Sequence, residues 1–306
     1  MEHPSDSRLS ALEWAAIVTI IVVWGVNNAA AKFATEALPP LFVGGVRFLL
    51  ALGLLFPFIR PPFPNWRIFL PVVICAGPLH FGLLYIAFAH IENLSLFGVT
   101  LQLWAPYTVL FAWLILGERL SRSAAAGVAL AFVGCAIMTL DPHTVADLGA
   151  VVIGAIASSF WAFATVLVRK LPEVRALKIQ GCTSLVAAPV LLALSFTLEP
   201  GLPEAARRAS WFVWACVAFA GLVSTVGASA LLFWLVQRRE TGRVTPYLLA
   251  TPLITALIGV TAFGDRLTWQ LVAGALVAMG GVGLVAVEER RRTRLSAAAG
   301  VRGLLT

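Results

Sequence analysis

Arg47 is the one charged residue in the apolar stretch from Pro40 to Ile59. A guanidinium at that depth can hold a carboxylate through two parallel hydrogen bonds. It can also be structural, snorkelling along a cavity wall or capping carbonyls of a broken helix. His80 stands in a charge-free stretch from Ile68 to Ala89. An imidazole there can bond a solute or carry a proton near neutral pH, or it can pack against a neighbouring carbonyl. Asn27 and Asn28 follow Trp24, and Gln102 lies in a third apolar run. Amides bind a zwitterion without adding charge, and they also bond between helices. Polar groups in hydrocarbon are costly, so each of these positions is a functional candidate.

Other side chains belong to the same chemistry. Ser158, Ser159, Ser224, Thr225, Thr251 and Thr255 are small polar residues in apolar runs; their ordinary role is close helix packing. Of these, Ser158, Thr225 and Thr251 join Trp24, Asn27, Asn28, His80, Gln102 and Trp161 as candidate solute-binding residues. Trp66, Trp211 and Trp269 lie at run ends and read as interface anchors. Trp24, Trp104 and Trp161 lie deeper, where aromatic walls suit an apolar or aromatic side chain. Pro106 and Pro252 each remove a backbone hydrogen bond, with Gly98 and Gly242 flanking, and mark candidate hinges. No Asp or Glu falls in the middle of an apolar run. Proton-coupled pumps usually need a buried carboxylate, so the expectation is uncoupled movement or coupling through His80.

The elements that must position these groups follow from composition. Of 306 residues, 60% are hydrophobic and 12% charged, with mean hydropathy +0.91. That is too little charge for a soluble surface. Runs of about 20 apolar residues match the bilayer. The runs predict helices over about 13–34, 39–59, 68–90, 94–116, 122–140, 148–169, 176–197, 210–236, 244–263 and 267–287. Pro39-Pro40, Pro61-Pro62, Asp141-Pro142, Pro172 and Pro200 to Pro203 are the breakers between them. Leu12 to Ala31 is long for a signal peptide despite the Ala29-Ala30-Ala31 sequence, and reads as a retained first helix. Cys75, Cys135, Cys182 and Cys216 form neither a metal-ligand spacing nor a disulfide framework and read as small buried hydrophobes.

The net charge of +7 does not point to nucleic acid, because most basic residues sit at helix ends. Placing both termini in the cytoplasm puts most Lys and Arg on that side and leaves Lys32, Arg207, Arg208 and Arg266 on the other. A miscount of one helix would erase that bias. The chain also repeats. Gly117-Glu118-Arg119-Leu120 recurs as Gly264-Asp265-Arg266-Leu267, each followed by glycines at matched spacing: Gly127 and Gly134, Gly274 and Gly281. Trp24 and Lys32 match Trp161 and Arg169, so Trp24 and Trp161 are expected to face one another. Each half then holds five helices. Five is odd, so the second half enters from the opposite side, as in secondary transporters with a site at the repeat interface.

Trp24-Gly25, Arg47-Phe48, Pro106 and the two Gly-acid-Arg-Leu segments resemble the drug/metabolite transporter superfamily, EamA branch, over nearly the whole chain. The nearest resemblance is to YddG-type amino-acid exporters. It implies an all-α membrane fold of ten transmembrane helices, two inverted five-helix repeats around a central cavity. It implies export of small metabolites, above all amino acids, aromatic or broad in range, by alternating access. It also implies an Arg at position 47 whatever the solute, which favours the structural reading of Arg47. The halves divide as 1–143 and 144–288, with a basic tail over 289–306 expected to anchor on the inner leaflet. The expected setting is the bacterial inner membrane, with a small-molecule solute and lipid as partners, no cofactor, no metal, no nucleic acid and a monomeric state.

Other classes fit less well. A nucleotide-sugar carrier needs several cations in its cavity, and only Arg47 is deep, with Lys32 and Arg169 nearer helix ends. No His-Glu-x-x-His, paired membrane aspartates or Gly-x-Ser-x-Gly supports an intramembrane enzyme. A pore or a drug carrier remains as an alternative.

Overall fold

The computed structural model describes residues 10–118, 120–140, 144–171, 173–228, 231, 232, 235 and 247–303. Every regular element among them is helical. Helix α1 (Ala11–Ala37) starts at Ser10, whose hydroxyl accepts from the Glu13 N–H while the Glu13 carboxylate accepts from the Ser10 N–H. It is followed by α2 (Pro40–Leu55), α3 (Trp66–Ile74), α4 (His80–His90), α5 (Leu94–Thr100), α6 (Trp104–Leu116) and α7 (Arg122–Met138). Then come α8 (Leu148–Val168), α9 (Ala176–Leu198), α10 (Leu202–Arg208), α11 (Trp211–Ala218), α12 (Thr251–Ile258) and α13 (Trp269–Gly303). Eight helical stretches are long and apolar enough to cross a membrane, and Arg122–Met138 and Thr251–Phe263 are shorter apolar helices.

Several spans are interrupted. A π-helical segment at Cys75–Leu79 joins α3 to α4, and Gly77 within it leaves helical backbone (φ −104°, ψ −105°) just before Pro78. A tight 3-10 turn at Leu101–Leu103 joins α5 to α6. Another π-helical segment, Phe219–Ala228, continues α11, and a third, Gly259–Phe263, continues α12. The break in the fourth span therefore lies at 101–103, before Pro106, which is already the third residue of α6. Pro252 likewise sits in the first turn of α12, after a turn at 249–250. A proline lacks an N–H but suits a first helical turn, so each bend falls on its N-terminal side. Gly242 and Arg119 lie outside the described residues.

Two features were not foreseen. Pro200 to Pro203 reads as a breaker, yet Gly201 (φ +80°) turns the chain into α10 with Pro203 in its first turn and Arg207 and Arg208 in its last. The backbone of α13 stays helical to Gly303, so the basic tail prolongs the last helix.

Packing follows a crossed pattern. Helix α7 packs on α13, and α2 on α9. Helix α8 contacts α4 and α6, while α1 contacts the Phe219–Ala228 segment and α12. The repeated glycines explain the α7–α13 contact. A Cβ at Gly127 would lie 2.8 Å from the Gly281 carbonyl oxygen, and one at Gly274 would lie 2.7 Å from that of Gly134. Gly127 thus faces Gly281 and Gly134 faces Gly274, so the two helices run antiparallel. Small residues allow this backbone contact where lipid offers no hydrophobic drive to pack.

Trp66, Trp211 and Trp269 each open a helix and are 68%, 80% and 72% exposed. All four cysteines are buried and free.

Candidate functional site

The middle of the protein gathers side chains from α2, α4, α8 and the Phe219–Ala228 segment. Arg47 on α2 is only 4% exposed. Its Nε donates to Thr225 Oγ1 at 2.7 Å and an Nη1 hydrogen goes to the Tyr85 hydroxyl at 3.1 Å. Its guanidinium lies 4.6 Å from the centre of the Phe81 ring. The π-helical turn sets Thr225 for this, because its hydroxyl donates to Ala220 five residues back at 2.8 Å and accepts from Arg47. Among the described residues no carboxylate pairs with Arg47. A cation at mid-bilayer costs about 2.5–3.5 kcal/mol on insertion scales. A desolvated ring face returns about 2 kcal/mol and the hydroxyls more.

His80, the first residue of α4, follows the 75–79 interruption. Its Nδ1 is 2.7 Å from the Ala157 carbonyl oxygen on α8. A carbonyl only accepts, so Nδ1 carries the hydrogen and Nε2 remains as the free ring nitrogen. The imidazole packs on Trp161 at 5.1 Å and on Phe81 at 4.6 Å between ring centres. Phe81 is therefore a hub: it also meets Phe48 at 4.9 Å and Trp161 at 6.1 Å. The next residue of α8, Ser158, reaches the Leu101 carbonyl at 3.5 Å, beside Gln102. Gln102 accepts from the Trp104 indole N–H at 3.2 Å.

A second polar group lies where α1 crosses α12. Asn28 Nδ2 donates to Thr255 Oγ1 at 3.0 Å. Gly25 permits this crossing, since a Cβ there would lie 2.5 Å from Ile254 Cβ, and Gly98 on α5 permits α12 to pack on α5 beside it, since a Cβ there would lie 2.8 Å from Thr255 Cγ2. Asn27 Oδ1 and Thr251 Oγ1 are buried without a hydrogen-bond partner among the described residues. Such oxygens are costly unless a donor arrives.

The structure thus brings Arg47, His80, Ser158, Trp161 and Thr225 together, with Gln102 adjacent. It places Asn28 and Thr251 on the α1–α12 contact. Trp24 stands apart: it packs with Ile17, Ile20, Leu235 and Leu248 and makes no ring contact with Trp161. The repeat spacing equates the two positions, but Trp161 found aromatic neighbours on α4 and Trp24 found aliphatic ones. Phe81 and Tyr85, the partners of Arg47, were not singled out from sequence. Their four-residue spacing, continued by Phe88, was the available signal of one aromatic helix face.

Comparison with known proteins gives a consistent answer. The profile of the EamA-like transporter family matches residues 12–140 and again residues 148–287. A Salmonella typhimurium protein named probable amino-acid metabolite efflux pump is 26% identical over 289 residues, covering 90% of this chain and 96% of the relative. An Escherichia coli protein of the same name is 26% identical over 273 residues, covering 86% and 91%. A solved crystal structure of a protein shares the fold with TM-score 0.64 at 18% identity, over 92% of this chain and 99% of the other.

Proposed function

We propose that this chain, which belongs to the EamA-like transporter family, exports amino acids across the bacterial inner membrane by alternating access. The observation that carries the solute class is Arg47: a buried guanidinium beside aromatic rings, with hydroxyls but no carboxylate among its described partners. The carboxylate of an amino acid supplies the missing charge. Asn27 Oδ1 and Thr251 Oγ1 are buried acceptors suited to its ammonium group. Phe81, His80 and Trp161 form the wall for its side chain. Arg47 also ties α2 to α4 and to the 219–228 segment, so the structural and recognition readings meet in one residue. The curated relatives named as amino-acid metabolite efflux pumps favour the same class.

We read the chain as ten spans in two inverted halves, 1–143 and 144–288. Three observations support this. The family profile matches twice, the packing of α1 with the eighth and ninth spans mirrors that of α8 with the third and fourth, and the glycine helices α7 and α13 run antiparallel. The interruptions near Pro106 and Pro252 serve as hinges, and loop charge puts both termini in the cytoplasm. The protein works as a monomer, its tail 289–306 against the inner leaflet.

Purified protein in liposomes loaded with a solute panel tests this. Labelled neutral amino acids are expected to accumulate by exchange, while success with nucleotide sugars and failure of every amino acid would overturn the reading. Trp161→Ala is expected to raise KM for aromatic amino acids about tenfold, a loss of about 1.4 kcal/mol, with kcat within about twofold. An unchanged KM would remove Trp161 from the wall.

Where a proton gradient drives transport, Nε2 of His80 is the exchanging atom. His80→Gln is then expected to remove the gradient dependence and leave exchange itself running. A variant that stays gradient-driven places the coupling elsewhere.

A further inference from the structure

One charged surface takes no part in the central site. Segment 59–67, which leads into α3, meets segment 173–181, which starts α9. Lys178 Nζ donates to the Pro62 carbonyl oxygen at 2.5 Å and lies 5.0 Å from the centre of the Phe63 ring. Three residues on, a Cβ at Gly181 would lie 3.0 Å from Ile59 Cγ1. Arg67 on α3 holds its guanidinium 5.9 Å from the centre of the Trp66 ring. Arg60 and Arg175 are exposed on the same two segments. Four cations thus share one face.

Little on the protein balances that charge. Glu173 is the only acid in either segment. Among the described residues no carboxylate pairs with any of the four cations, whereas nearby Arg169 pairs with Glu118 at 2.6 Å. Arg67 and Lys178 also lie in first helical turns that hold no acid, where the backbone dipole disfavours a cation. The carbonyl and the ring faces nevertheless keep both in place. Beyond the cations the surface turns apolar. Leu70 stands one turn past Arg67 on α3, Leu185 two turns past Lys178 on α9, and both are exposed. An acidic protein segment would leave those leucines uncovered. A phospholipid covers both regions, with phosphate on the cations and acyl chain along the helices.

We infer that the surface between the starts of α3 and α9 binds the headgroup of an anionic phospholipid. Arg67 and Arg175 present planar forks that match phosphate oxygens, and Lys178 adds a point charge with two hydrogens left over from Pro62. Basic pockets between spans on the cytoplasmic side suit such headgroups, and the loop-charge reading above puts this end on that side. Helices α3 and α9 belong to different family repeats, matched at 12–140 and 148–287, so one bound lipid touches both. The site is independent of which solute the protein carries.

The test titrates purified full-length protein in neutral detergent with phosphatidylglycerol or phosphatidylcholine and counts bound lipid by native mass spectrometry. One phosphatidylglycerol is expected to bind saturably, with no saturable phosphatidylcholine. The double variant Arg67→Gln with Lys178→Gln is expected to raise the Kd for phosphatidylglycerol about twentyfold, the scale of two surface cations on one anionic headgroup. Arg122→Gln with Arg291→Gln removes two exposed cations outside the patch and is expected to change that Kd by less than about twofold. If the double variant does not fold, Arg67→Gln alone decides, with about a fivefold rise expected. Parent-like binding by the patch variant would overturn the site. An equal loss in the control pair would mean diffuse attraction and overturn it too. Displacement of the lipid by millimolar inorganic phosphate would show a site for the free anion and overturn the lipid assignment. No amino acid enters the measurement, so it can succeed where the solute panel fails, and fail where the panel succeeds.

Discussion

Gly134→Leu is expected to cost the protein its fold, while Gly280→Leu on the same helix pair is expected to be tolerated. A Cβ at 134 would collide with the Ala278 backbone nitrogen and lie 2.6 Å from the Gly274 carbonyl oxygen. These are backbone atoms of α13, and no rotamer change clears them. Overpacking costs about 1–3 kcal/mol even where side chains can shift. Here α7 and α13 must separate, which also opens the Gly127–Gly281 contact. One or two kcal/mol is already a factor of about 5–30 in the folded fraction. Gly280 has nothing within 4 Å of its Cβ position and is exposed. Monodisperse yield after detergent extraction, with the melting midpoint of what remains, separates the two. A Gly134→Leu protein that elutes and melts like the parent would refute the backbone contact.

Arg47→Met is expected to lower amino-acid exchange by about a hundredfold or more, the scale of about 2–5 kcal/mol seen when one partner of a buried charge pair is removed. Arg47→Lys keeps the charge but has no planar fork to serve Thr225, Tyr85 and a carboxylate together. It is expected to fold and to show a raised KM. The pair of variants divides the two roles of the residue. If Arg47→Lys folds and exchanges like the parent, recognition needs only a point charge. If Arg47→Met folds and exchanges like the parent, the carboxylate does not bind here. Thr225→Val removes one acceptor of the guanidinium and is expected to fall between parent and Arg47→Met.

Hydrophobic length made the spans legible, because bilayer thickness imposes one number on each of them. The glycines of α7 and α13 were legible as a spacing, though not as a contact, since spacing alone does not say which glycine meets which. The interruptions in α3–α4 and α11 were hidden. Gly77-Pro78 marks the first weakly, and Phe219–Ala228 contains no proline at all. The most consequential omissions were the caps. Asp147 and Glu199 look like ordinary flanking acids, yet Asp147 accepts from the N–H groups of Glu92 at 2.6 Å and Asn93 at 3.0 Å, and Glu199 caps the start of α2 by accepting from Leu41 at 2.8 Å and Phe42 at 3.2 Å, across 158 and 157 residues. One-dimensional pattern carries no information on such distant pairs. Arg47 and His80 were found because a polar group in hydrocarbon is conspicuous. Their neighbours Phe81 and Tyr85 were missed because an aromatic in an apolar run is not.

The most direct test of the whole account is counterflow with purified protein in sealed liposomes. Internal unlabelled amino acid is expected to accelerate entry of the labelled one, the rate saturating with external concentration, and Arg47→Met is expected to abolish the acceleration. A flux that rises linearly with concentration and ignores the internal amino acid would mean a pore, and would contradict alternating access in this protein.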